Sequence, residues 1–322
     1  GTTLTHEHLL CDFSVVVNHP GNAIGKDFLN KPVTIETLGR INYWFWPNLD
    51  DRIMADVDTA IEEALIYKEY GGMSIVEATC IGVARDPIGL ARISRSTGLN
   101  IIMGCSYYLA TTHPSNMDSI SEDQIFEEIV NDIECGVDGT KVKSGIIGEV
   151  GCSWPLHKNE LKCLKASARA QKVTGAPLLI HPGRHEMSPL EIIEVLEQNG
   201  ANLNRTVISH IDRTIFRKET LRKILDSGCY VEWDLFGKEQ SYFPANLETD
   251  MPSDARRIDD ISWVISEGYG KKVVIAHDIC NKHRMDKYGG HGYAYILGCI
   301  VPRMRARGYE ESNIDDILIN NP

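Results

Sequence analysis

The chain has 322 residues, 43% hydrophobic and 24% charged, with a formal charge of −12. These proportions suit a protein with a large apolar core and exclude a disordered chain, while the acidic balance excludes general affinity for nucleic acid or anionic membranes. No run approaches the roughly 18 to 20 consecutive apolar residues of a membrane span, and no charged-then-apolar signal peptide opens the sequence, so a cytoplasmic protein is expected.

Thr3-Leu4-Thr5-His6-Glu7-His8 reads as a buried strand. On a strand His6 and His8 share one face and Glu7 takes the other, whereas a helix would set the two rings roughly 200° apart. Residues 11–50 carry Pro20-Gly21-Asn22, Lys31-Pro32 and the aromatic run Tyr43-Trp44-Phe45-Trp46-Pro47 without clear periodicity. They read as one long loop, either a lid or a cover on an outer face. Apolar residues at helical spacing from 51 to 70 end at Gly71-Gly72, and a strand follows at 73–79. Asp86-Pro87 opens a helix to 97, Gly98 closes it, and 100–105 is again an apolar strand.

The alternation then continues as helix 121–135 and strand 145–150, helix 158–174 and strand 177–181, and helix 189–199 and strand 206–210. Helix 217–227 precedes strand 229–234, helix 254–267 precedes strand 272–278, and a last helix covers 293–307. Parallel strands need helical crossovers, and eight such units predict an α/β fold, a (β/α)8 TIM barrel with a long first βα loop. No composition shift marks a boundary, so residues 1–322 form one domain. Nine cysteines, odd in number and without a CxxC pair, fit reduced thiols.

Barrels of this kind gather the C-terminal strand ends at one mouth, where a polar side chain needs a partner. Those ends carry His6, His8, Glu149, His181, His210, Asp234 and Asp278. Four imidazoles with carboxylates suit zinc, or cobalt or manganese, better than calcium or magnesium. Six donors are too many for one tetrahedral ion but fit two divalent ions bridged by Glu149, with His6, His8 and Asp278 on one and His181 and His210 on the other. His277 faces away from Asp278 and reads as structural. Cysteine nucleophiles are the rival chemistry, discounted because no thiol here is singled out as reactive.

These residues resemble the phosphotriesterase-like family of the amidohydrolase superfamily along essentially the whole chain. The blocks 148–156, 180–184, 209–214 and 287–293 are similar to its phosphotriesterase-related group. The resemblance carries the family's metal ligands onto His6, His8, His181, His210 and Asp278. One departure stands out: Glu149 occupies the position of a carboxylated lysine in bacterial members. The resemblance further implies a metal-activated hydroxide, Asp278 as ligand and base, and Asp234 as a proton relay, a structural ion pair being the alternative for Asp234.

Cations after the strands, Arg184, Arg213, Lys282, Arg284 and Lys287, point to a small anionic substrate, with Tyr288 and His291 placed to close over it. The group implies an amidase of small N-acyl amino acids, N-acetyltaurine first. The alternatives are a lactonase or phosphotriesterase with the same centre, and a metal-containing binding protein without turnover. Related barrels commonly form homodimers, which no residue pattern here specifies. Family members also have a few residues before the first strand and a closing segment after Asn321-Pro322.

Overall fold

The computed structural model describes residues 1–243 and 246–322. The chain begins with β1 (Thr3–Glu7) and a short β2 (Cys11–Asp12), then α1 (Ala23–Leu29) and α2 (Ile35–Trp44). Next come β3 (Ile53–Met54), α3 (Val57–Glu69), β4 (Ser74–Glu77), α4 (Pro87–Thr97), β5 (Asn100–Cys105) and α5 (Glu122–Glu134). Then β6 (Ile146–Gly151), α6 (Lys158–Thr174), β7 (Leu178–His181) and α7 (Ser188–Gln198) lead to β8 (Thr206–Ile208) and the short α8 (Ile211–Thr214). The elements α9 (Lys218–Asp226), β9 (Tyr230–Trp233), α10 (Asp254–Ser266), β10 (Val273–Ile275), α11 (Val301–Ala306) and α12 (Glu311–Asp315) complete it.

Strands β1 and β4 to β10 lie side by side in that order as one eight-stranded sheet. Its edges are brought together where the Asp278 N–H donates to the His6 carbonyl (3.1 Å) and Thr5 Oγ1 donates to the Ile275 carbonyl (3.2 Å). The fold is the predicted parallel α/β barrel, with helices packed outside. Strand parity divides the core. Val76, Ile146 and Leu179 form an inner cluster with Ile102 and Val207, while Ile75, Ile147, Leu178 and Ile180 join the larger layer beneath the helices. No helix among the described residues is long and apolar enough to cross a membrane.

The helix ends follow from local chemistry. The Asp86 carboxylate accepts from the Ile88 and Gly89 amides ahead of Pro87, and α4 stops at Gly98 with φ 70°. Ser121 with Gln124, and His157 with Glu160, form capping boxes on α5 and α6.

Two regions differ from the sequence reading. Residues 11–50 are not a structureless loop: β2 pairs with β3, and α1 and α2 follow. Asn22 caps α1 and Thr34 with Thr37 caps α2, so short polar caps start helices whose few apolar residues leave little periodicity to read. The predicted last helix is present but opens as a π segment (Ile296–Ile300) running into α11, and α12 lies beyond the predicted end. Pro302, which lacks an amide hydrogen, sits in the first turn of α11 and restarts the helix there.

A buried ion cluster fixes the segment after β9. Arg257 on α10 donates through Nε to Asp212 (2.8 Å), through Nη1 to Asp254 (2.7 Å) and through Nη2 to the Lys238 carbonyl (3.1 Å). The two carboxylates in turn accept from the Leu235 and Gly237 amides. Arg257→Met should cost about 3–5 kcal/mol, because it leaves two buried carboxylates without their cation. Urea unfolding of the variant checks this.

Candidate metal centre

The inward parity of β1 puts His6 and His8 at the barrel mouth, both buried. Glu7, on the other face, accepts from the His277 amide (2.8 Å), from His277 Nδ1 (2.6 Å) and from the Ile279 amide (3.1 Å). These bonds hold the turn in which Asp278 lies, three residues beyond β10, with φ 52°. His210 likewise lies past its strand, with φ 55°. Gly148 admits Glu149 to the mouth: its φ is +133°, and a Cβ there would stand 2.2 Å from the Leu179 carbonyl oxygen.

Six predicted residues converge. Glu149 Oε1 is 3.4 Å from His8 Nε2, and its Oε2 is 2.9 Å from His181 Nδ1, 3.4 Å from His6 Nε2 and 3.6 Å from His210 Nε2. Asp278 Oδ1 is 3.3 Å from His8 Nε2 and 3.9 Å from His6 Nε2. His6, His8 and Asp278 form one donor group and Glu149, His181 and His210 another.

The rear nitrogens of three of these imidazoles meet groups that orient the rings. His210 Nδ1 meets Asp234 at 2.8 Å, and the His210 amide donates to the other Asp234 oxygen at 2.8 Å. His6 Nδ1 lies 3.2 Å from Glu232 Oε2, which also accepts from Ser209 (2.8 Å). His8 Nδ1 lies 2.9 Å from Thr79 Oγ1, which donates to Glu77 (2.6 Å). With its Nδ1 held from behind, each ring turns its Nε2 to the mouth, where His6 Nε2 and His8 Nε2 are buried and have no hydrogen-bond partner.

Electrostatics point the same way. Burial pushes His181 down to about 3 and His210 down to about 4, so both are neutral at neutral pH. Burial also opposes charge on His6 and His8, yet Glu149 holds His6 well above its ordinary value, and Asp278 with Glu149 raises His8 to about 9. The Glu149 carboxyl, which burial alone would raise, is held well below the usual range by His181 and His6. The carboxylates thus draw positive charge to a mouth where two buried nitrogens have no partner, a donor set that fits a divalent metal.

The other predicted residues are placed differently. Asp234 is fully buried, with both oxygens on His210, and sits behind the mouth rather than facing it. Lys282 pairs with Asp50 (2.6 Å), and Arg284 donates to the carbonyls of Asp278, His277 and Phe236. Lys287 donates to Thr59 Oγ1 (2.6 Å). Tyr288 packs against the Phe28, Val33 and Ile41 cluster. His291 stacks on His277 with ring centroids 5.4 Å apart, and lines a cleft of about 460 Å³ with Tyr43, Phe45 and Lys238.

Arg213 Nη2 lies 3.2 Å from His181 Nε2, and the Arg184 side chain is exposed beside it. The sequence reading missed Glu77, Thr79, Ser209 and Glu232. Glu77 and Glu232 interrupt apolar strands, the same signal that marked Glu149.

The sequence profile of the phosphotriesterase family matches residues 1–322. The chain is 45% identical over 329 aligned residues to a phosphotriesterase-related protein of Nematostella vectensis, covering 100% of this chain and 93% of that one. It is 45% identical to an N-acetyltaurine hydrolase of Dictyostelium discoideum, over 92% of this chain and 80% of that one. Among solved structures, a resiniferatoxin-binding protein from Rhodobacter sphaeroides matches with a TM-score of 0.95 at 33% identity, covering 100% of this chain and 89% of the other.

Glu232→Gln should lower metal affinity about 10- to 100-fold, because it weakens the acceptor that orients His6. Metal titration against a competing chelator measures it.

Proposed function

The chain belongs to the phosphotriesterase family of metal-dependent hydrolases, and from that premise we propose that it cleaves the amide bond of small anionic N-acyl amino acids, N-acetyltaurine first among them. His6, His8 and Asp278 would hold one divalent ion and His181 and His210 a second, zinc by preference, with Glu149 shared between them. The observation that carries this reading is the Glu149 carboxylate, with one oxygen 3.4 Å from His8 and the other 2.9 Å from His181. Such a pair, when bound, lowers the pKa of water toward neutrality and polarises a carbonyl.

The residues divide the remaining work. The Asp278 side chain is 15% exposed, against 7% for His181 and 2% or less for Glu149 and the other three imidazoles, so it is the donor a substrate meets. Burial would raise its carboxyl, but His8, 3.3 Å away, and the charge of His6 hold it low, so it is ionised at neutral pH. Water adds to the acetyl carbon, Asp278 takes its proton and passes it to the departing nitrogen, and the C–N bond breaks to give acetate and taurine. Asp234 acts through His210 as a positioning residue. Full-length likeness to N-acetyltaurine hydrolases supports the choice of substrate. Nine free cysteines, two of them exposed, favour a reducing compartment such as the cytoplasm.

Zinc- or manganese-loaded protein should release acetate and taurine from N-acetyltaurine, and Asp278→Asn should lower kcat by about 10²- to 10⁴-fold. Product analysis by chromatography checks both. Faster turnover of lactones or phosphotriesters than of N-acyl amides would overturn the amidase reading.

A further inference from the structure

Three cations outside the donor groups surround a single aromatic ring. Arg184 Cζ, after β7, lies 5.5 Å from the Phe243 ring centroid, Arg213 Cζ, on α8, lies 5.6 Å away, and Lys238 Nζ, after β9, lies 5.4 Å away. They come from three separate segments of the chain, so tertiary structure alone gathers them.

Arg184 and Arg213 repel each other, and the attraction of one ring is weak compensation. Among the described residues none of the three side chains meets a carboxylate: Arg213 donates to Thr214 Oγ1 and the Pro182 carbonyl. Lys282 and Arg284, by contrast, are engaged by Asp50 and by backbone carbonyls. Burial and the Arg284 charge push the Lys238 ammonium down to about 8, which leaves it mostly charged at neutral pH. Arg213 also reaches within 3.2 Å of His181, so an anion held here lies a short spacer from the donor groups.

We infer that Arg184, Arg213 and Lys238 form an anion clamp, spaced by Phe243, that takes the sulfonate or carboxylate head of the substrate while its amide lies against Glu149 and Asp278. The planar guanidinium of each arginine suits a two-oxygen face of such a head, and the lysine adds a point charge. The inference rests on the amidase reading for the identity of the substrate, but not for the binding of an anion. Lys238 becomes a specificity determinant that the motifs of the metal centre do not indicate.

The test uses metal-loaded wild type, Arg184→Met, Lys238→Met and the double variant, with melting temperatures to establish folding. Calorimetry with ethanesulfonate reads the clamp directly. Ethanesulfonate should bind wild type and bind each single variant about tenfold more weakly, as loss of a charge-assisted contact requires. The ratio of kcat/KM for N-acetyltaurine over the uncharged N-propylacetamide should fall about 10- to 100-fold in the variants. Undetectable ethanesulfonate binding to wild type, or equal binding by wild type and both single variants, overturns the clamp. Weakened binding in the variants without turnover of any amide upholds the clamp and removes the amidase reading instead.

Discussion

Four imidazoles and two carboxylates meet at one mouth, all but Asp278 buried, and the groups behind them make that arrangement tenable. Asp234, Glu232 and the Thr79–Glu77 pair hold the rear nitrogens of His210, His6 and His8. Each ring is thereby fixed in rotation, and each presents its Nε2 forward. An unsupported histidine at the same depth would turn to find a donor or remain uncharged and unpartnered, at the cost of a buried polar group. The site is therefore two layers deep, and its outer layer is as acidic as its inner one.

That arrangement depends on closure of the barrel. Glu7 looks like the residue between two ligands, yet its carboxylate binds both flanks of Asp278 through the amides of His277 and Ile279. The first strand therefore brings two imidazoles to the mouth with one face and positions the Asp278 carboxylate with the other. The Arg257 cluster does comparable work one strand earlier, tying α10 to the segment after β9 that carries Lys238. The catalytic end of the molecule is thus held by buried charges rather than by apolar packing alone. Those charges tolerate burial because each one has a partner of fixed geometry.

Much of this was legible in the sequence. Apolar strands and helices closed by Gly71-Gly72 and Gly98 made the alternation plain. Polar residues at apolar strand ends made the six donors plain. Residues 11–50 were less so, because α1 and α2 are short and rest on caps such as Asn22 rather than on a long apolar stripe. Asp234 read, by resemblance, as a proton relay or a structural ion pair, and its place behind His210 was not legible because strand parity gives the side of a sheet but not the depth within a barrel. Lys282 and Arg284 read as free cations because the partners that engage them, Asp50 and three backbone carbonyls, are remote in sequence or are not side chains.

By itself the sequence determined the barrel, the family resemblance and the donor residues, since periodicity, caps and the cost of burying unpaired polar groups act locally along the chain. Tertiary structure alone decided which oxygen of Glu149 faces which histidine, which cations remain open, and that Arg184, Arg213 and Lys238 share one ring. The physical reason is that charge interactions depend on distance through space, and three segments separated by tens of residues acquire that distance only when the barrel closes.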